Sequence, residues 1–89
     1  MLMRELRIVN RHGLHARASA KIVQLASRFR SNVALIFNGR RADARSIIAV
    51  MFLAASMDAT IYIEANGPDE ADAVTAIAQL ISDRFGEGN

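Results

Sequence analysis

The sequence predicts an α+β domain: an open-faced β-sandwich in the order βαββαβα, with its helices gathered to one side of the sheet. Three observations predict it. Short apolar runs of period two alternate with longer runs of helical period. Asn38-Gly39 lies between two strand-like runs and marks a tight hairpin. A chain of 89 residues holds one hydrophobic core and no more, so residues 1–89 are read as one domain.

The elements follow in order. Leu2, Arg4, Leu6 and Ile8 alternate with Met3, Glu5 and Arg7, which predicts a half-buried strand ending near Val9. Asn10 to Leu14, with Gly13 inside, reads as a loop. From Ala16 to about Arg28 the spacing is helical, with Ile22, Val23, Ala26 and Phe29 on one face. Val33-Leu35-Phe37 is a strand, and a short strand over Arg41 to Asp43 follows the turn. Ser46 is placed to cap a short helix from Ile47 to Leu53. Thr60 to Glu64 is a strand. Asn66-Gly67-Pro68-Asp69 is a turn leading into a helix. There Val74, Ile77, Ala78, Ile81 and Phe85 form the core stripe, and Gly86 closes the run. Glu87-Gly88-Asn89 is expected to be a frayed tail.

Composition narrows the function classes. At 52% hydrophobic and 22% charged the chain is globular rather than disordered. It has no cysteine, which excludes disulfides and thiolate metal sites. His12 and His15 alone do not make a metal cluster, so no metal and no cofactor are expected. The N-terminus is charged from Arg4 onward, and the longest apolar run, Ile47 to Ala55, is too short to span a bilayer. No membrane insertion is expected, and the cytoplasm is the expected location. The charge is unevenly placed: residues 1–45 carry +8 and residues 46–89 carry −6. This asymmetry gives either a basic surface near His15 that steers acidic partners, or two halves that interleave and average out.

Gly13-Leu14-His15-Ala16-Arg17 is the most informative stretch. It sets a histidine at the expected start of a helix. A helix N-terminus offers unpaired N–H groups and a partial positive charge, a ready phosphate site. A histidine there is placed to be both nucleophile and cap. The helix terminus disfavours imidazolium, which leaves the ring nucleophilic. The N–H groups of Ala16, Arg17 and Ala18 can then bond phosphoryl oxygens.

These residues, with Ala20-Lys21, Arg45-Ser46-Ile47 and Gly67-Pro68-Asp69-Glu70-Ala71, resemble the HPr family, the histidine-containing phosphocarriers of the phosphoenolpyruvate-dependent phosphotransferase system. The resemblance covers nearly the whole chain. It implies a four-stranded antiparallel sheet covered on one face by three helices. It implies that a ring nitrogen of His15, Nδ1, accepts a phosphoryl group from enzyme I and passes it to an enzyme IIA-type protein. Such a protein is a carrier on which enzymes act, rather than a free-standing enzyme. The chain departs from the family at two places. Ala18 stands where proline is usual, leaving the first helical turn less constrained. The turn before the last strand, Ser56-Met57-Asp58, lacks the usual glycine, and Asp58 is the residue there that best tolerates left-handed backbone.

Other residues carry two readings each. Arg17 is either a phosphoryl-binding guanidinium or a solvated surface arginine, and its place in the motif favours the first. His12 reads as a solvent-exposed loop residue with no part in the site. Ser46 is a helix cap. The resemblance adds that an HPr kinase/phosphorylase can phosphorylate it in some lineages, weakening docking to enzyme I. Ile47, Ile48, Met51 and Phe52 form an apolar cluster read as a docking patch, with Val50 and Leu53 facing the core. Two other functions stay open: a regulator acting through phosphorylated Ser46 as a transcription co-regulator, and a small basic RNA-binding module. With only Phe37 and Tyr62 as sheet aromatics, RNA is disfavoured and no nucleic-acid partner is expected. A monomer is expected, since a carrier must expose His15 to successive partners. The sugar and nitrogen-regulatory branches remain alternatives.

Overall fold

The computed structural model describes residues 1–86. Glu87, Gly88 and Asn89, read above as a frayed tail, lie outside the described residues.

The chain forms β1 (Leu2–Arg7), α1 (Ala16–Ala26), β2 (Asn32–Phe37), β3 (Arg40–Asp43), α2 (Ile47–Phe52), β4 (Thr60–Asn66) and α3 (Glu70–Ser82), closed by a 3₁₀ turn over Arg84–Gly86. The sheet order is β1-β4-β2-β3, and every pairing is antiparallel. Ile63 of β4 stands opposite Leu35 of β2, which in turn stands opposite Ala42 of β3. One sheet face thus carries Ile61, Ile63, Ala65, Val33, Leu35 and Ala42, all buried. Against it lie Val74, Ile77, Ala78 and Ile81 of α3, while α1 contributes Ala18, Ile22 and Ala26. Each isoleucine buried this way contributes about 1.5–3 kcal/mol. The predicted α+β sandwich, with helices on one face, is the observed fold.

The outer sheet face shows why Glu64 is tolerated inside a strand. Arg41 lies across it from β3 and pairs with its carboxylate, so Glu64 is only 7% exposed. The guanidinium holds that carboxyl below the usual carboxylate range.

Strands β2 and β3 each begin one residue earlier than expected and α2 ends one residue earlier, at Phe52, while four other ends differ in ways that bear on packing. The first strand stops at Arg7; Ile8 instead bonds the connection before β4, its N–H to Ala59 O and its carbonyl to Asp58 N–H. Helix α1 stops at Ala26, because Arg28 and Phe29 donate to Leu25 and Ala26, three residues back, and tighten the chain into a turn. Strand β4 runs on to Asn66, which pairs with Asn32. Helix α3 ends at Ser82, and Phe85 reaches the core from outside the helix. Arg84 and Phe85 both adopt left-handed backbone, with φ of 53° and 55°, which drops the ring inward. The Lys21 ammonium donates to the Phe85 carbonyl and ties this turn to α1. The turn expected to need Asp58 in place of glycine does place Asp58 at φ 74°.

Candidate functional site

The site begins in the loop between β1 and α1. Asn10 is fully buried and holds this loop from inside. Its side-chain amide donates to the Gly13 carbonyl at 2.9 Å, and its own carbonyl accepts from the Gly13 N–H at 3.3 Å. Asparagine at the first position of such a turn and glycine at the fourth suit this geometry. Gly13 lies at φ 62°, and a Cβ there would come within 2.4 Å of the Ala55 carbonyl oxygen. The Leu14 N–H then bonds that same Ala55 oxygen at 3.0 Å. The loop is therefore stapled to the segment that follows α2.

His15 is the N-cap of α1. Its backbone is extended (φ −73°, ψ 179°), and its carbonyl accepts the first helical bond, from Ser19 N–H at 2.9 Å. The Ser19 hydroxyl donates to Leu14 O at 3.2 Å, fixing the residue before it. The expectation that the His15 side chain also caps the helix is corrected: it makes no capping hydrogen bond. A cap acceptor must reach back to the second or third N–H of the helix, which suits short side chains. The Nε2 atom of the His15 ring is buried, and the ring packs against another ring. That ring is His12. The two centroids are 5.9 Å apart and the planes stand at 86°, an edge-to-face pair. His12 is exposed, as its loop position predicted, but it is part of the site's geometry.

Ala16, Arg17 and Ala18 form the first turn of α1, whose N–H groups have no helical partner a turn earlier. Arg17 is exposed. Ala18 is fully buried and belongs to the core.

Helix α2 packs along α1. Ser46 caps it: the hydroxyl accepts from Ala49 N–H at 3.2 Å. Ile48 is 60% exposed and Phe52 73%, with Ile47 also exposed and Met51 half-buried. Val50 and Leu53 are buried, as their helical phase predicted. The apolar cluster therefore stands on the surface next to the His15 helix.

Two features escaped the sequence reading. The His12–His15 contact had a signal, two histidines three apart around a glycine turn. The Ser31–Asp69 bond had none, because 38 residues separate the partners: the Ser31 hydroxyl lies 2.6 Å from Asp69 Oδ1, and the Arg30 and Ser31 N–H groups donate to the same carboxylate. The serine hydroxyl first, and these N–H groups with it, hold the Asp69 carboxyl below its usual range.

Comparison with known proteins decides the family. Residues 2–83 match the family model of the PTS HPr component phosphorylation site. The chain is 53% identical over 88 residues to the phosphocarrier protein HPr of Cupriavidus necator, covering 99% of each chain. The chain belongs to the HPr family. It is thereby a phosphocarrier protein of the phosphotransferase system. The crystal structure of HPr-C-His from Thermoanaerobacter tengcongensis superposes with a TM-score of 0.93 at 37% identity, covering 98% of each chain. An HPr dimer from the same organism superposes with a TM-score of 0.78 at 38% identity, covering 92% of this chain and 94% of that one. Among the described residues no helix is long and apolar enough to cross a membrane.

Proposed function

We propose that His15 is the residue of this HPr-family chain that carries the phosphoryl group, on Nδ1, taken from enzyme I and given to an enzyme IIA-type acceptor. The observation that carries this reading is the place of His15 at the N-cap of α1, which sets the ring beside the first-turn N–H groups that have no helical partner. The Nδ1 lone pair attacks phosphorus, the bond from phosphorus to the donor breaks, and its electron pair returns to the donor. The reverse exchange discharges the group to the acceptor. The N–H groups of Ala16, Arg17 and Ala18 face the incoming oxygens with the positive end of the helix dipole. The exposed Arg17 guanidinium adds a charge-assisted pair as negative charge concentrates there.

Ile47, Ile48, Met51 and Phe52 are the docking patch for both partners. An exposed apolar cluster on the helix beside the phosphorylated one gives a partner a surface next to His15. Ser46 is where an ATP-dependent kinase would regulate that docking. Its hydroxyl opens α2, so a phosphate there adds charge at the edge of the apolar patch. The chain acts in the cytoplasm as a monomer, which leaves His15 open to each partner in turn.

Incubation with phosphoenolpyruvate and enzyme I, followed by intact-mass measurement, tests the reading. One acid-labile phosphoryl adduct on the wild type, absent from His15→Ala, is the expected result. Failure of folded wild-type protein to accept a phosphoryl group from any of several enzymes I overturns it.

A further inference from the structure

The peptide unit between Gly13 and Leu14 is held on both sides. Its carbonyl accepts from the Asn10 side-chain amide at 2.9 Å, and its N–H donates to Ala55 O at 3.0 Å. A peptide unit is planar, with its C=O and N–H pointing opposite ways, so two such bonds leave the plane little freedom to turn. The next carbonyl, that of Leu14, accepts from the Ser19 hydroxyl at 3.2 Å, and the residue after it is His15. The path into α1 is thus a run of backbone groups, each with its own partner. Ala55 contributes backbone to it, and Ser19 belongs to α1 itself. Asn10 is the side chain that reaches in from before the turn.

Stability alone gives little reason for an asparagine at this place. Asn10 is fully buried. Its Nδ2 amide has the Gly13 carbonyl, while Oδ1 has no hydrogen-bond partner among the described residues. One bond made and one buried acceptor left over are of comparable size and opposite sign. An apolar side chain of similar volume would fill the space with no acceptor left over. It would, however, take the side-chain donor from the Gly13 carbonyl, and Gly13 is buried too. A buried carbonyl that loses its donor turns toward water or another donor. The Gly13–Leu14 plane turns with it, and His15 is the next residue.

We propose that Asn10 is a positioning residue for phosphoryl transfer: its side-chain amide fixes the Gly13–Leu14 peptide plane and so sets where His15 stands against the first turn of α1. The inference rests on the carrier reading of His15. Asn10 has no exposed surface, so it does not touch a donor protein. Docking belongs to exposed residues such as Ile48 and Phe52. The effect of Asn10 therefore lies in the transfer step inside the docked complex and not in docking itself. Position matters most in that step, where a misplacement of about 1 Å slows a reaction by about a hundredfold.

The test compares the wild type with Asn10→Leu and Asn10→Ala, using phosphorylated enzyme I as donor. Asn10→Leu keeps a similar volume and removes both polar atoms, so its melting temperature is expected within about 4 °C of the wild type. Its single-turnover rate at saturating donor is expected to fall by about tenfold. The donor concentration that gives half the maximal rate is expected to stay within about twofold of the wild-type value. Asn10→Ala removes the same bond and adds a void, so the same loss of rate is expected with a lower melting temperature. A residue that served the fold alone would not slow the saturated rate of a variant as stable as the wild type. A folded variant that transfers at the wild-type saturated rate overturns the inference, as does a loss that raising the donor concentration restores. Unfolding of both variants at the assay temperature also overturns it, because Asn10 would then belong to the fold rather than to the transfer step. If the wild type itself takes no phosphoryl group, the carrier reading fails first, and that outcome is distinct.

Discussion

Gly13→Ala isolates the fit of the His15 loop against the rest of the molecule, with Gly39→Ala as its control. Both glycines lie in left-handed backbone, at φ 62° and 78°. An L side chain in that region costs about 1–2 kcal/mol. Both substitutions also stiffen the unfolded chain equally, so these contributions cancel in the comparison. What differs is space. At Gly39 an added Cβ meets nothing within 4 Å. At Gly13 it would stand 2.4 Å from Ala55 O and 2.8 Å from Ser56 Cα, both backbone atoms. Neither can rotate away, so the loop and the segment after α2 must part. Parting breaks the Leu14-to-Ala55 hydrogen bond, a loss of about 1 kcal/mol. Packing around the buried Leu14 and Ala55 side chains loosens with it, so the difference between the variants is about 2 kcal/mol. In a domain of this size 1 kcal/mol moves the melting temperature by about 4–8 °C. Gly13→Ala should therefore melt at least about 8 °C below Gly39→Ala in a calorimetric scan. The same displacement moves His15, so single-turnover phosphorylation of Gly13→Ala should slow even well below its melting temperature. Melting temperatures within about 3 °C of each other would refute the argument, because they would show the loop is not seated on Ala55 as described.

Four further outcomes follow from the Ser46 cap, the exposed face of α2 and the Asp69 carboxyl. Ser46→Ala removes the acceptor for Ala49 N–H and should cost about 0.5–2 kcal/mol in urea denaturation. Ser46→Asp keeps a cap acceptor and should stay close to wild-type stability while accepting phosphoryl groups from enzyme I more slowly; a stable variant with undiminished transfer counts against charge regulation at this site. Ile48→Ala and Phe52→Ala remove exposed side chains, so stability should change by no more than about 0.5 kcal/mol while KM for enzyme I rises. A large stability loss with unchanged KM would return these residues to the core. The Asp69 carboxyl titrates below its usual range in the folded protein, so it binds protons less readily there than in the unfolded chain. Its contribution is fully present above the unfolded value and is lost as pH falls through the folded one. Asp69→Asn should therefore be less stable near neutrality and should lose less stability on acidification through the carboxylate range. Parallel melting curves against pH for the two proteins would contradict this assignment.

The element order, the hairpin at Asn38-Gly39, the Ser46 cap and the phase of α2 were all legible in the residues alone. So were the place of His15 at the opening of a helix and the exposure of Ile47, Ile48 and Phe52. These are local properties: turn chemistry needs four residues, a cap needs three, and a helical stripe repeats within two turns. The left-handed bend at Asp58 was legible for the same reason. Contacts between partners distant in sequence were not legible in this way. The His15 loop is held by Ala55, Ser31 is matched to Asp69, and Glu64 is covered by Arg41, none of which any periodicity announces. The basic and acidic halves are interleaved, because β4 of the acidic half lies between β1 and β2 of the basic half. Phe85 showed a limit of pattern reading, since it kept the core position its spacing predicted but reached it through left-handed backbone after the helix had ended. His12 showed the other limit: its exposure was legible from the loop, but the ring it faces was set by a buried asparagine and a glycine pressed against another segment. Local rules fix which way a short segment turns, and only packing between segments fixes what it then meets.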